Sequence, residues 1–168
     1  MSALGALVAA VVLAGCVGTQ SETGLRPATV VRAGDGDTLD LASGERVRLV
    51  QVDAPELGEG ECYARQSLRE LERVAPSDAR VELERDPRLD DVDRYGRLLR
   101  YVHVGDRNVN VELVRRGAAT PYFFRGVEGR HADELRAAVA EARATRRGMW
   151  AACRVSWHRD QPVATRPR

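Results

Sequence analysis

Five short β-like runs constrain the fold of this chain more than any other feature. In each run apolar and polar residues roughly alternate over five to seven positions, which is typical of strands with one buried face. The runs cover residues 28–33, 38–42, 46–52, 80–85 and 98–104. The Ser43-Gly44 pair between the second and third runs predicts a tight hairpin turn. We therefore expect five short antiparallel strands that curl into one small sheet.

Helices are predicted between and after these strands. Apolar residues recur at helical spacing from Ala64 to Val74, and Pro76 then stops the helix. A short helix is predicted over 112–116 and a longer one over 132–146. This order of elements predicts an α+β, mainly β fold, namely a partly open five-stranded Greek-key barrel of the oligonucleotide-binding (OB) type with about three helices. The pattern alone leaves another α+β arrangement open.

The first residues have the character of an export signal. Residues 3–14 form an uncharged apolar run of 12 residues, which is too short to span a bilayer as a helix. The run ends in Leu-Ala-Gly-Cys, which resembles the bacterial lipobox and implies a lipid anchor on Cys16. We expect a signal peptide over 1–15, a tether over 16–27, the domain over 28–154 and a flexible tail over 155–168. No basic residue precedes the apolar run, so an ordinary cleaved signal and an uncleaved apolar tail stay open.

The remaining cysteines and the histidines bear on compartment and metal binding. With Cys16 assigned to lipid, Cys62 and Cys153 form an even pair, which favours a disulfide in an exported protein. Two unrelated thiols are the alternative. The chain has no Cys-x-x-Cys pair, and its three histidines (His103, His131 and His158) are isolated in sequence, so no structural zinc site is expected.

Charge is evenly distributed along the chain. The net charge is +1, all 26 basic residues are arginine, and acidic residues interrupt the arginines throughout 85–116. A long basic track for duplex DNA is therefore not expected. If nucleic acid is the partner, contact is confined to a small cleft, which favours a hydrolase over a tight binder.

Two acidic segments follow strand ends. Asp35-Gly36-Asp37-Thr38 lies between the first two strands, and Asp53-Ala54-Pro55-Glu56 follows the third. Carboxylates that cluster in this way bind hard cations such as Mg²⁺ or Ca²⁺ through oxygen, although either segment alone is typical of a turn. Arg48 and Arg97 lie near these segments in the predicted sheet. A cation with two arginines meets the charge requirement of phosphodiester hydrolysis. The alternatives are a solvent-facing strand residue for Arg48 and a surface ion pair with Asp93 for Arg97.

Taken together, these segments resemble the staphylococcal nuclease family. The matching segments occur in the same order and spacing, and they are Asp35-Gly36-Asp37-Thr38, Val47-Arg48-Leu49, Asp53-Ala54-Pro55-Glu56, Asp93-Arg94-Tyr95-Gly96-Arg97 and the residues Asn110, Leu113, Val114 and Gly117. The resemblance implies a calcium-dependent nuclease that cuts DNA and RNA with little sequence specificity and acts as a monomer.

The resemblance also implies a role for each site residue. Asp37, Asp53 and the main-chain carbonyl of Ala54 correspond to ligands of Ca²⁺, and Asp35 to a neighbour of those ligands. Glu56 corresponds to the residue proposed to activate or orient the attacking water. Arg48 and Arg97 correspond to the pair that holds the phosphate and stabilises the five-coordinate transition state.

The aromatic residues expected to contact substrate differ from the family pattern. The tyrosines that flank the substrate in the type member have no exact counterpart. Tyr122 and Phe123, followed by Phe124, lie in about the right place and are expected to stack on a base. Packing in the core or in a loop is the alternative for this cluster.

Two functions without catalysis stay open beside the nuclease. The first is a non-catalytic OB-fold module at the cell surface that binds nucleic acid or protein. The second is a surface lipoprotein that only scaffolds other envelope proteins.

Overall fold

The computed structural model describes residues 24–168, and its centre is a barrel of five strands. The barrel strands are β1 (Leu25–Ala33), β2 (Thr38–Leu41), β3 (Arg46–Leu49), β5 (Arg80–Glu84) and β6 (Leu98–Val104). Two short strands accompany them, β4 (Val52–Asp53) after β3 and β7 (Arg107–Asn108) after β6. The barrel strands follow the order β3-β2-β1-β5-β6 with antiparallel neighbours. A parallel pairing of β3 with β6 completes the circle, so the barrel is closed rather than partly open. The predicted mainly β OB fold is confirmed.

Helices cover the barrel and complete its core. They are α1 (Ala64–Val74), α2 (Val109–Arg115), α3 (Ala132–Ala144) and the single turn α4 (Met149–Ala152). Helix α2 begins three residues earlier than predicted, because the Asn108 side chain caps it by accepting the N–H of Val111 at 3.2 Å. The core contains fully buried leucines from strands and helices, each of which contributes about 1.5 to 3 kcal/mol of burial. These leucines are Leu39, Leu49, Leu71, Leu83, Leu113 and Leu135.

The third predicted strand is broken at Gln51. This break determines the position of the acidic segment that follows, which begins at Asp53. Gln51 has a left-handed backbone (φ 61°), which interrupts the strand. Val52 and Asp53 then pair with a separate short strand, β8 (Thr120–Pro121), instead of continuing β3. The buried Asn110 stabilises the bend, since its Nδ2 donates to the Val50 carbonyl at 2.8 Å and its Oδ1 accepts the N–H of Val102 at 3.0 Å.

The C-terminal residues form a hairpin where the sequence predicted a flexible tail. Strand β9 (Cys153–Ser156) pairs antiparallel with β10 (Ala164–Pro167). Val163 and Thr165 are buried, and their contacts to distant loops explain why this hairpin is ordered. Cys153 of this hairpin is joined to Cys62 by a disulfide, with Cα atoms 6.0 Å apart. The hairpin is therefore fixed to the segment that precedes α1.

The N-terminal predictions are only partly covered by the structure. Strand β1 begins at Leu25, so residues 25–27 belong to the barrel and not to the predicted tether. The predicted signal peptide, the lipid anchor on Cys16 and the rest of the tether lie outside the described residues. Within residues 24–168, no helix has both the length and the apolar character needed to cross a bilayer.

Candidate active site

Three predicted site residues meet at the end of β3. The Nη2 atom of Arg48 lies 2.9 Å from Asp37 Oδ2 and 2.8 Å from Asp53 Oδ1. Both carboxylates therefore direct an oxygen at the same cationic nitrogen. All three side chains are largely shielded from solvent, with exposed fractions of 13% for Arg48, 6% for Asp37 and 9% for Asp53. Arg48 is thus a buried ion-pair partner, and the alternative interpretation of Arg48 as a solvent-facing strand residue does not hold.

The break after β3 also fixes the guanidinium of Arg48. Its Nη1 donates to the carbonyl oxygens of Leu49 at 2.7 Å and Val52 at 2.6 Å. These carbonyls lie on either side of the bend. The bend that takes Asp53 out of β3 therefore also anchors Arg48. The arginine fork suits this task because its donors point in fixed directions.

The acidic side chains repel one another in their buried setting. Burial is the main reason that the pKa of Asp37 is raised to about 8, and the charges of Asp35 and Asp53 add to the rise against the opposing effect of Arg48. Burial also raises the pKa of Asp53. The pKa of Glu56 is raised by burial first and then by Asp35 and Asp53. Such a cluster is stabilised when positive charge is added to it.

This arrangement fits a hard divalent cation. The donor set is made of carboxylate oxygens, which Ca²⁺ and Mg²⁺ prefer. Asp37 and Asp53 already converge on one positive atom, the Arg48 nitrogen, which stands where a cation would satisfy both. The N–H of Ala54 donates to Asp37 Oδ2 at 3.0 Å, which places the main chain of residue 54 against the same carboxylates. Asp37, Asp53 and the carbonyl of Ala54 are the residues that would hold the ion.

Glu56 lies at the exposed edge of this cluster, and Glu61 connects its main chain to the C-terminal hairpin. Its N–H donates to Glu61 Oε2 at 2.8 Å, and Glu61 Oε1 accepts the N–H of Thr165 at 3.0 Å. The N–H of Val163 donates directly to Asp53 Oδ2 at 2.8 Å. Sequence reasoning missed Glu61, Val163 and Thr165, because their roles arise from contacts across about 100 residues of chain.

Arg97 is placed by a tight turn that begins at Asp93. Asp93 Oδ1 accepts the N–H groups of Tyr95 and Arg97, and Gly96 takes the left-handed backbone (φ 78°) that the turn requires. Asp93 Oδ2 accepts Arg97 Nε at 2.7 Å. Arg97 Nη1 reaches Thr38 Oγ1 at 3.3 Å, next to Asp37. The ion pair with Asp93 therefore positions Arg97 beside the acidic cluster. This ion pair is compatible with phosphate binding by Arg97.

A cleft of about 710 Å³ adjoins the two arginines. Arg48 and Arg97 line it together with three aromatic residues, Tyr95, Tyr122 and Phe124. Phe123 does not line the cleft, because it is 1% exposed and packs in the core. The prediction that Phe123 stacks on a base is therefore wrong in this structure, whereas Tyr122 lies where it was expected. Tyr95, which is 66% exposed, takes part in the cleft without having been predicted.

The closed barrel and the arginine-lined cleft beside paired carboxylates define a hydrolase of phosphodiesters, that is, a nuclease. Residues 46–152 match the family model described as staphylococcal nuclease homologue. The chain is 40% identical over 136 residues to protein ParB of Escherichia coli, covering 72% of this chain and 70% of that protein. It is 34% identical over 163 residues to a micrococcal nuclease of Shigella flexneri, covering 89% and 86%. It is also 34% identical over 103 residues to a thermonuclease of Staphylococcus intermedius, covering 56% and 59%. The chain belongs to the staphylococcal nuclease family, and its substrate is nucleic acid.

Proposed function

We propose that this nuclease depends on Ca²⁺ and hydrolyses phosphodiester bonds of both DNA and RNA with little sequence specificity. The observation that carries the proposal is the convergence of Asp37 and Asp53 on one cationic nitrogen beside the cleft. An all-oxygen set of this kind is suited to a hard ion with flexible coordination, and Ca²⁺ tolerates irregular geometry better than Mg²⁺.

Bound there, Ca²⁺ would supply positive charge against the negative charge that develops on the phosphate oxygens. Two arginines of the protein would bind the phosphate itself. Arg97, held by Asp93, presents its guanidinium toward the acidic cluster and the cleft. Arg48 is anchored through Nη1. Its Nη2 pairs with Asp37 and Asp53 in the described structure, and it becomes available to a phosphate oxygen once the ion neutralises both carboxylates. Two arginines held in this way would stabilise the charge of the transition state.

Glu56 is the proposed acceptor of the proton from the attacking water. Its main chain is fixed by Glu61, while its side chain stays exposed at the edge of the carboxylate cluster. A carboxylate at this exposed edge can accept a hydrogen bond, and then a proton, from the attacking water.

The lining of the cleft supports low sequence specificity. Tyr95, Tyr122 and Phe124 offer aromatic faces, and stacking on such faces is tolerant of base identity. A stacked base must leave its duplex partner, so single strands or locally opened duplexes are the proposed substrates. The proposal treats the protein as a monomer with one such cleft.

Digestion of denatured DNA and of RNA by the chain, with Ca²⁺ or with a chelator, tests the proposal. We expect cleavage only with Ca²⁺, and we expect Glu56→Gln and Arg97→Ala each to lower the rate about 100-fold or more. The matched controls are Glu72→Gln and Arg69→Ala, which change the same charges on the exposed surface of α1 and should leave the rate unchanged. Equal rates with chelator, or full activity of Glu56→Gln, would contradict the proposal. A folded chain that binds DNA without cutting it would indicate the binding module instead.

We also propose that the protein works outside the cytoplasm, anchored by lipid on Cys16. The disulfide between Cys62 and Cys153 supports this proposal, because such bonds persist in oxidising compartments. Intact mass and membrane fractionation of the exported protein test it. A diacylglyceryl mass on the wild type, with release of the Cys16→Ser variant from the membrane fraction, is the expected result, and an unmodified soluble wild type would contradict it.

A further inference from the structure

Two histidines that are isolated in sequence meet beside a glutamate at one end of the barrel. Glu84 ends β5, His103 lies on the neighbouring β6, and His131 immediately precedes α3. His103 Nε2 lies 2.7 Å from Glu84 Oε2, and His131 Nε2 lies 3.0 Å from the same oxygen. The ligand atoms of the three residues all lie within 4.8 Å of one another. The isolation of the histidines in the sequence predicted no structural zinc site, but the fold brings His103 and His131 together.

The cluster is well ordered by its surroundings. Glu84 is held by β5–β6 pairing, in which it lies opposite Tyr101, and its second oxygen, Oε1, accepts Arg130 Nη1 at 2.6 Å. The other oxygen, Oε2, is the one that faces both histidines. The Glu84 side chain is 7% exposed and each histidine 17%, so the cluster is shielded but remains open to small solutes.

The hydrogen bonds of His131 indicate what the cluster can bind. Its Nδ1 lies 2.7 Å from Glu134 Oε1, so both ring nitrogens face a carboxylate. With a metal ion between Nε2 and Glu84, Nδ1–H would donate to Glu134 while Nε2 binds the metal. This carboxylate–histidine–metal arrangement recurs in proteins, where the outer carboxylate orients the ligand.

We propose that Glu84, His103 and His131 form a second metal site, distinct from the Asp37–Asp53 site, that binds a divalent ion of the zinc type. Two imidazoles with one carboxylate are a donor set for Zn²⁺ and its neighbours rather than for Ca²⁺, which prefers oxygen ligands. Three protein ligands leave one tetrahedral position for water. Because the ligands come from β5, β6 and the start of α3, the ion joins α3 to the barrel.

Equilibrium dialysis of the full chain against ZnCl₂, in buffer with excess Ca²⁺, tests the site. We expect one zinc per chain with micromolar or tighter affinity. His103→Ala and His131→Ala should each weaken binding about 100-fold or more, and Glu134→Gln about tenfold, since it removes only the orienting contact. The matched control is His158→Ala, an exposed histidine away from the cluster, which should bind as the wild type does.

Circular dichroism of each variant separates loss of a ligand from loss of the fold. Should either alanine variant fail to fold, Co²⁺ titration of the unaltered chain decides the matter, because four-coordinate Co²⁺ with imidazole ligands absorbs strongly in the visible. Absence of saturable zinc binding, unchanged affinity in both histidine variants, or a Co²⁺ complex without such absorption would overturn the proposal. None of these measurements depends on nuclease activity.

Discussion

The guanidinium of Arg48 offsets two buried carboxylates at once. Removing it in Arg48→Ala leaves Asp37 and Asp53 without a counter-charge, which costs about 3 to 5 kcal/mol in buried ion pairs. We expect the free energy of unfolding to fall by that order in a chelator, and Ca²⁺ to restore more stability to the variant than to the wild type. Urea unfolding of both proteins with and without Ca²⁺ measures this. A variant that gains no more from Ca²⁺ than the wild type does would contradict the proposed ligands.

Another buried carboxylate, Asp86, predicts a pH dependence of stability. Burial opposes its ionisation, but the N–H groups of Arg130 and Arg88, together with the Arg88 guanidinium, hold the pKa of Asp86 below its usual range. A carboxyl with a lowered folded-state pKa stabilises the fold above its unfolded pKa, and that stability is lost as pH falls through the folded pKa. Asp86→Asn, whose amide cannot accept from all these donors, should cost about 1 to 3 kcal/mol at pH 7.

The pH profile separates this effect from a loss of packing. The difference in unfolding free energy between wild type and Asp86→Asn should begin to shrink below about pH 4, where the unfolded chain takes up the proton. It should shrink further as the pH falls through the lowered folded-state pKa of Asp86. Thermal or urea unfolding from pH 7 to pH 3 measures it. A difference that stays constant over this range would show that charge is not the cause.

At the scale of elements, Gly117 fixes how α2 meets the segment before α4. Its backbone is left-handed (φ 67°), and a Cβ there would lie 2.2 Å from the carbonyl oxygen of Arg147. Gly117→Ala should therefore destabilise the fold by more than the roughly 1 to 2 kcal/mol that a left-handed alanine costs alone. Gly105→Ala is the matched control. Gly105 is also left-handed (φ 57°), but a Cβ there would lie in open space. Equal losses in urea unfolding would contradict the steric explanation.

The elements differ in how far the sequence could predict them. The five barrel strands and the helix from Ala64 to Val74 were predictable, because their apolar periodicity reports a buried face directly. The break at Gln51 was not, since a left-handed glutamine is imposed by Asn110 and β8 and not by local preference. The C-terminal hairpin was missed for a similar reason, because the contacts that order it, such as those of Val163 and Thr165, are made to loops about 100 residues away in the sequence.

The candidate site was predictable as a set of residues but not as a set of contacts. Short motifs indicated Asp37, Arg48, Asp53 and Arg97, since strand ends of one small barrel meet near each other. The sequence could not indicate that Arg48 itself neutralises both aspartates, nor that Phe123 faces inward while Tyr122 faces the cleft. Adjacent aromatics in an irregular segment have no periodicity that assigns them to one side.

At the scale of the whole molecule, the disulfide joins the C-terminal hairpin to the segment before α1. Cys62 and Cys153 are separated by 91 residues, and a bond that closes a loop of this size stabilises a fold by about 2 to 5 kcal/mol. The hairpin that it holds donates from Val163 to Asp53 and from Thr165 to Glu61, which in turn holds Glu56. We therefore expect the bond to support catalysis as well as stability.

The double variant Cys62→Ser, Cys153→Ser should lose both stability and cleavage activity. We expect a lower free energy of unfolding by the amount above, and a cleavage rate that falls even at temperatures where circular dichroism shows the barrel intact, because Asp53 and Glu56 lose their fixed orientation. The cleavage rate of the wild type in dithiothreitol should fall to that of the double variant, and dithiothreitol should leave the double variant unchanged. A double variant that is less stable but fully active below its unfolding transition would show that the hairpin supports the fold alone.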